Sequence, residues 1–172
     1  SRKGGHEEIL AAFSKGEADI LIGTQMIVKG HDFQGVTLVG ILAADVSLYA
    51  PDYRCAERTF QLLVQASGRA GRGRKPGTSV IQTYMPEHYS IQAAVKQDYE
   101  AFYRQEIAYR NLMGYPPVET MMGIYLSAGD QELLEEKTKA LGIFIREMQQ
   151  QEVLMIGPAD AALTRLNDRY RK

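Results

Sequence analysis

Two short apolar runs constrain this chain more than anything else in it. Asp19-Ile20-Leu21-Ile22-Gly23 and the stretch from Val36 to Ala44 are unbroken by polar side chains, apart from the leading Asp19 and from Thr37. Short runs of this kind are the signature of strands buried on both faces, the condition found in parallel sheets. A helix-like run follows from Tyr53 to about Arg72, with Asp52 placed as its N-cap. Thr78 to Tyr84 then alternates through Val80, Gln82 and Tyr84 as a third strand. Strand, helix and strand in succession predict a doubly wound α/β unit, a parallel sheet flanked by helices. His6 to Ser14 reads as a short helix ahead of it, with Ile9, Leu10 and Phe13 on one side.

Met85-Pro86-Glu87 marks a break. From Ser90 to Met113 the pattern is helical and tyrosine-rich, and Gly114-Tyr115-Pro116-Pro117 stops it. Met121 to Leu126 is strand-like. Gln131 to Gln151 is an amphipathic helix with Leu134, Leu141, Ile145 and Met148 along one stripe and acids in its first turns. Val153 to Ile156 reads as a strand and Gly157-Pro158 as a turn. This β-α-β pattern reads as the start of a second, smaller domain.

At 172 residues with 45% hydrophobic content, the chain can bury a real core in one ordinary domain or two small ones. A net charge of -1 leaves nucleic-acid contact to local patches. The single cysteine, Cys55, cannot form an internal disulfide or a cysteine zinc cluster. No apolar run reaches membrane-spanning length and no signal-peptide pattern opens the chain, so the expectation is a soluble, cytoplasmic protein. Ser1-Arg2-Lys3 lacks an initiator Met and Arg169-Tyr170-Arg171-Lys172 stops in mid-pattern, which reads as a fragment.

Two segments carry chemistry. In Gln65-Ala66-Ser67-Gly68-Arg69-Ala70-Gly71-Arg72-Gly73, two arginines stand three residues apart, each preceded by glycine. On a continuous helix, Gln65, Arg69 and Arg72 would share a face. Glycines at 68 and 71 each cost roughly 1 kcal/mol against alanine inside a helix, which points to bare backbone near another surface. Arginine offers planar, multi-donor contact to phosphate. The plainer reading is a basic helix end stopped by glycines. The second segment is the loop Gly23-Thr24-Gln25-Met26-Ile27-Val28-Lys29-Gly30-His31-Asp32-Phe33, which leaves the first expected strand where open α/β sheets bind ligands. Thr24 and Gln25 suit phosphate and sugar contacts, Gly30 allows close backbone approach, and Asp32 can accept from a ribose hydroxyl.

Taken together, strand, GTQM-x-x-KGHDF, strand, helix and Q-x-x-GRAGR resemble motifs V and VI of the superfamily 2 helicases, which lie in the second of two RecA-like (P-loop NTPase type) lobes. Val36-Thr37-Leu38-Val39, Asp52-Tyr53-Arg54-Cys55-Ala56-Glu57-Arg58 and Gln82-Thr83-Tyr84-Met85-Pro86-Glu87-His88 are similar to the replication-restart DNA helicases within that superfamily. The resemblance runs over roughly residues 5 to 117 and more weakly to Gly157-Pro158. Fork-reversal and excision-repair helicases share the Gly-Arg pair but lack the KGHDF loop.

The resemblance implies an organisation. Residues 1–86 would be part of the second helicase lobe, 87–117 a helical connector, and 118–172 the start of a truncated α+β C-terminal domain. It also implies roles. Arg69 and Arg72 match arginines that reach the γ-phosphate of ATP, with Arg72 as the finger and Gln65 positioning water or phosphate. Gly30 and Asp32 match nucleotide contacts, and Thr24, Gln25 and Lys29 match contacts to the DNA strand. An ATP-dependent DNA helicase acting on single-stranded and forked DNA in primosome assembly and replication restart is implied. Its partners would be primosome proteins and single-strand binding protein.

The Walker A loop and an acidic Mg²⁺ motif are absent from this sequence. ATP and Mg²⁺ are therefore expected with another lobe, and the fragment alone is expected to be inactive. The family's zinc module is likewise expected in the parent and not here, and no metal site is assigned to these residues. The alternatives are another superfamily 2 repair motor, or a nucleic-acid-binding module without a working site. His6, His31 and His88 have no metal spacing. The tyrosines from Tyr99 to Tyr115 read as packing between domains or as base-stacking groups. The basic end at Arg165, Arg169, Arg171 and Lys172 is either a DNA-facing patch or a frayed terminus.

Overall fold

The computed structural model describes residues 5–27, 33–148 and 153–172. It divides into one unit ending at Glu119 and another spanning Thr120–Lys172.

In the first unit, helix α1 (Gly5–Ser14) buries Leu10 and sets Phe13 edge-on against Phe33 at 5.0 Å. Strands β1 (Leu38–Ile41) and β2 (Thr78–Ile81) pair in parallel, from Leu38 opposite Thr78 to Ile41 opposite Ile81. Helix α2 (Cys55–Ser67) connects them, so the β-α-β succession expected from the sequence is present. Ile41 and Ile81 pack onto a core that includes Phe60, Leu63, Ile91 and Phe102. That core lies between the sheet, α2 and two further helices, α3 (Tyr89–Lys96) and α4 (Tyr99–Met113).

Several boundaries differ from the sequence reading. Asp19 to Gly23 is not a strand: it has no ladder partner among the described residues, and Ile20 and Ile22 are 77% and 90% exposed. An apolar run becomes a strand only where a neighbour offers its backbone groups. The sheet is covered on one side only, leaving Leu38 and Val80 exposed on the other. The strand expected over Val36 to Ala44 shortens because Ala43 turns left-handed at φ 49° and a 3-10 turn follows over Ala44–Tyr49. Beyond Ile81, Gln82 takes the amides of Ala43 and Ala44 on its side-chain and backbone oxygens, each at 3.0 Å, so β2 stops there as well.

The expected helix from Tyr53 to Arg72 is α2 alone. Asp52 is not its N-cap; Arg54 occupies that place, and Asp52 instead accepts the Arg54 amide at 2.9 Å and pairs with Arg58 at 2.8 Å. The single helix expected from Ser90 to Met113 is two. Gln97 takes φ 52° and Asp98 restarts the chain by capping the Ala101 amide at 2.9 Å. Gly114, at φ 65°, ends α4 as expected.

In the second unit, helix α5 (Gln131–Met148) is capped by Asp130, whose carboxylate accepts from Leu133 at 2.7 Å. Its buried line is Leu134, Thr138 and Gly142; of the expected apolar stripe Leu134 is buried, Leu141 and Ile145 are half-buried, and Met148 is 66% exposed. Gly142 packs closely here, since an added Cβ would stand 3.1 Å from the Pro158 ring. The expected helix end at Gln149 to Gln151 lies outside the described residues. The strand expected over Met121 to Leu126 is not formed: strand β3 is Ser127–Ala128, and Leu126 just ahead of it exchanges two backbone bonds with Lys172, at 2.9 and 3.0 Å. Val153 to Ile156 is not a strand. A hairpin takes its place: β4 (Arg165–Leu166) and β5 (Arg169–Arg171) give an antiparallel sheet in the order β3-β5-β4. The basic end is therefore paired rather than frayed.

Candidate functional site

The arginine segment sits where α2 runs out. Gly68 caps the helix, and the next two amides tighten to i→i-3 bonds, Arg69 to Ala66 at 3.0 Å and Ala70 to Ser67 at 3.2 Å. Gly71 then turns at φ +76°. The shared helical face expected for Gln65, Arg69 and Arg72 is consequently absent. Gln65 is in the last turn of α2, Arg69 is half-buried beyond it, and Arg72 is exposed. Arg72 Nε donates to the Gly68 carbonyl at 2.7 Å, which fixes the plane of its guanidinium against the turn.

Bare backbone is needed here for a reason visible in the packing. A Cβ on Gly71 would lie 2.7 Å from the amide nitrogen of Gly77, and one on Gly73 would lie 3.1 Å from that of Gly35. The Gly71 amide donates to the Val36 carbonyl at 2.9 Å, and Ser79 Oγ donates to the Ser67 carbonyl at 3.2 Å. The turn is thus stitched to the beginnings of β1 and β2. The chain leaving the KGHDF loop, at Gly35 and Val36, meets the arginine turn directly.

Thr24 and Gln25 are exposed at a 3-10 turn over Gln25–Ile27, where Thr24 Oγ1 accepts from the Met26 amide at 3.5 Å. Lys29, Gly30, His31 and Asp32 lie outside the described residues. Among the described residues no three His, Cys, Asp or Glu side chains converge to hold a metal ion, and no helix is long and apolar enough to cross a membrane. The donor set at the turn is two guanidinium groups, which suits a polyphosphate oxygen and not a cation.

Sequence reasoning missed the groups that hold this unit together. Asp45 is buried and accepts from the Tyr84 amide at 3.0 Å; that bond first, and the Thr83 hydroxyl second, keep its carboxyl below the usual range. Thr59, 1% exposed, donates to the Cys55 carbonyl at 2.8 Å and meets Ser47 Oγ at 2.7 Å. Arg110 is buried on α4 and reaches Glu106 at 2.7 Å, Glu57 on α2 at 2.7 Å and the Pro116 carbonyl at 2.9 Å. Burial pulls the Arg110 pKa down, but its bonds to Glu106 and Glu57 outweigh that and raise it overall. Tyr89 donates to Glu106 at 2.6 Å, and burial, then that bond, push its phenol well above the ordinary range. Glu106 and Arg110 stand at i,i+4 spacing on α4, while the Glu57 contact comes from a residue remote in the chain.

Residues 2–74 match the family described as the helicase conserved C-terminal domain. They carry the second RecA-like lobe that the two motifs resemble. Over nearly its whole length the chain is similar to proteins called replication restart protein PriA. It is 48% identical over 171 residues to that of Bacillus subtilis (strain 168), covering 99% of this chain and 21% of the relative. It is 43% identical to that of Synechocystis sp. (99% of this chain, 20% of the relative) and 37% to that of Haemophilus influenzae (99% and 23%). The chain spans about a fifth of the length of these curated relatives.

Proposed function

We propose that this chain is the arginine-bearing lobe, connector and first C-terminal elements of an ATP-dependent DNA helicase that translocates on single-stranded DNA and opens forks in replication restart. The reading is supported by one observation above all: the arginine turn is bonded to the exit of the KGHDF loop through Gly71 and Val36. The arginine segment thereby meets the chain just beyond the other segment, and each of the two resembles a motor motif.

In this reading residues 1–86 belong to the lobe, 87–117 to the connector and 118–172 to the C-terminal domain; the unit boundary after Glu119 supports the last division. Arg69 and Arg72 face the γ-phosphate of ATP held by a first lobe, and Gln65 helps position water or phosphate. Gly30 and Asp32 contact the nucleotide, while Thr24, Gln25 and Lys29 contact the strand. ATP supplies the transferable phosphoryl group, with Mg²⁺ bound on the first lobe. This chain's part is to present fixed positive charge to it, a contribution worth roughly 10³–10⁵ in rate for arginines of this kind. A zinc module, primosome proteins, single-strand binding protein and a cytoplasmic setting belong to the same proposal for the longer protein.

The test is Arg72→Ala in a full-length helicase carrying this sequence. DNA-stimulated ATP hydrolysis should be abolished while nucleotide binding persists. Activity within about threefold of wild type would rule the finger out, given the size of effect expected of such a group.

A further inference from the structure

Arg110 stands far along the chain from the arginine turn, on α4, yet it grips the helix that carries the turn. Its guanidinium serves three acceptors on three segments: Glu106 on its own helix, the Pro116 carbonyl after α4, and Glu57 in the first turn of α2. One turn further along α2, Phe60 stacks on Phe102 of α4 at 4.3 Å with the rings nearly parallel, at 8°. The two helices are thus joined at two points on one face of α2. At its other end α2 is tied to the sheet by Ser67 and Gly71. From Glu57 to Ser67 is roughly 15 Å of unbroken helix, at about 1.5 Å per residue.

A buried ionic cluster of this kind adds little net stability over a well-packed apolar filling. What it adds is direction. Apolar contact leaves a helix able to roll, whereas a three-way guanidinium fork fixes both its rotation and its advance. We infer that Arg110 is a positioning residue for the phosphate-facing arginines: through Glu57 it sets the rotation and advance of α2, and so the placement of the Gly68–Arg72 turn. The inference rests on the reading of Arg72 given above and adds a route by which the connector helix governs that residue.

The experiment uses the full-length helicase carrying this sequence and compares Arg110→Lys, Glu57→Gln, their double variant and Arg72→Ala. DNA-stimulated ATP hydrolysis is measured well below the melting midpoint of every variant, which removes a loss due to unfolding. Arg110→Lys keeps the charge and loses the fork. It and Glu57→Gln should each lower kcat about tenfold with KM for ATP within about twofold, the signature of an interaction that matters in the transition state and not in binding. The double variant should be no worse than either single one, since both act through the same contact. Values of kcat near wild type for both single variants beside an inactive Arg72→Ala would overturn the inference alone, as would losses that multiply in the double variant. An active Arg72→Ala would remove the reading beneath it and the inference together. Should Arg110→Lys fail to fold, Glu57→Gln decides, because Glu57 is partly exposed and tolerates the exchange.

Discussion

The amide of Gly71 and the carbonyl of Val36 lie 2.9 Å apart, and that bond ties the arginine turn to the chain just after the KGHDF segment. It forms because Gly71 can adopt φ +76° and because nothing projects from it toward Gly77. Backbone thus anchors the arginine turn to the start of the sheet at this point.

Gly71→Ala should be costly on both counts. A left-handed alanine costs about 1–2 kcal/mol, and the clash with the Gly77 backbone adds to it, so the expected loss exceeds about 2 kcal/mol. Gly16→Ala is the control: its φ is +77° but open space surrounds the added Cβ, and about 1 kcal/mol is expected. Urea denaturation midpoints separate the two; equal losses would mean that the Gly77 crossing does not matter.

Stability should fall in mild acid, partly through His88. Burial holds its imidazole below the ordinary 6.5, with Glu106 pulling weakly the other way. The unfolded chain then binds a proton at pH values where the folded chain does not. The stability is complete above about pH 6.5 and declines as pH drops through that value toward the folded pKa. The geometry agrees, since Nδ1 accepts from the Ser90 amide at 3.3 Å and a protonated ring cannot. His88→Asn keeps a capping acceptor and should flatten the melting temperature between about pH 5 and 7.

Thr24→Ala, in a full-length helicase carrying this sequence, should weaken single-strand binding by roughly threefold to tenfold, the worth of one hydrogen bond. The change should vary with salt, as phosphate contacts do. An affinity unaltered across a salt titration would remove Thr24 from the strand.

The β4–β5 hairpin turns through Asn167 at φ 50° and Asp168 at φ 57°, a pair of left-handed residues suited to a two-residue type I′ turn. Asp168→Gly removes a conformational penalty and an exposed pair with Arg165 worth little. A gain of about 0.5–1 kcal/mol is expected, read as slower hydrogen exchange at the Arg171 amide, which bonds Thr164. Faster exchange would show that the Arg165 pair holds the turn.

Much of the first unit was legible in the residues because its signals are local. Apolar runs, glycine stops and the two motif segments are each read within about ten positions, and α2, β1 and β2 all appear near their expected places. What failed to be legible is set by distance. Asp19 to Gly23 has the composition of a strand, but pairing depends on a neighbour that no local pattern names. The Gly-Arg repeat looks helical in spacing, and only the crossing with Gly77 shows why it cannot be. Nothing in the residues around Arg110 marks it out; its burial and its contact with Glu57, remote in the chain, emerge only in the fold. The hairpin was missed although Leu166-Asn167-Asp168-Arg169 carries the turn residues that favour it, because the strands on either side are too short to show alternation.

One face of the β1–β2 sheet carries Leu38 at 63% exposure, Leu42 at 79% and Val80 at 54%, with Ile20 and Ile22 also in water nearby in sequence. Prepared by itself, such a segment should be sticky: its molecules ought to associate as concentration rises, and light scattering should report it.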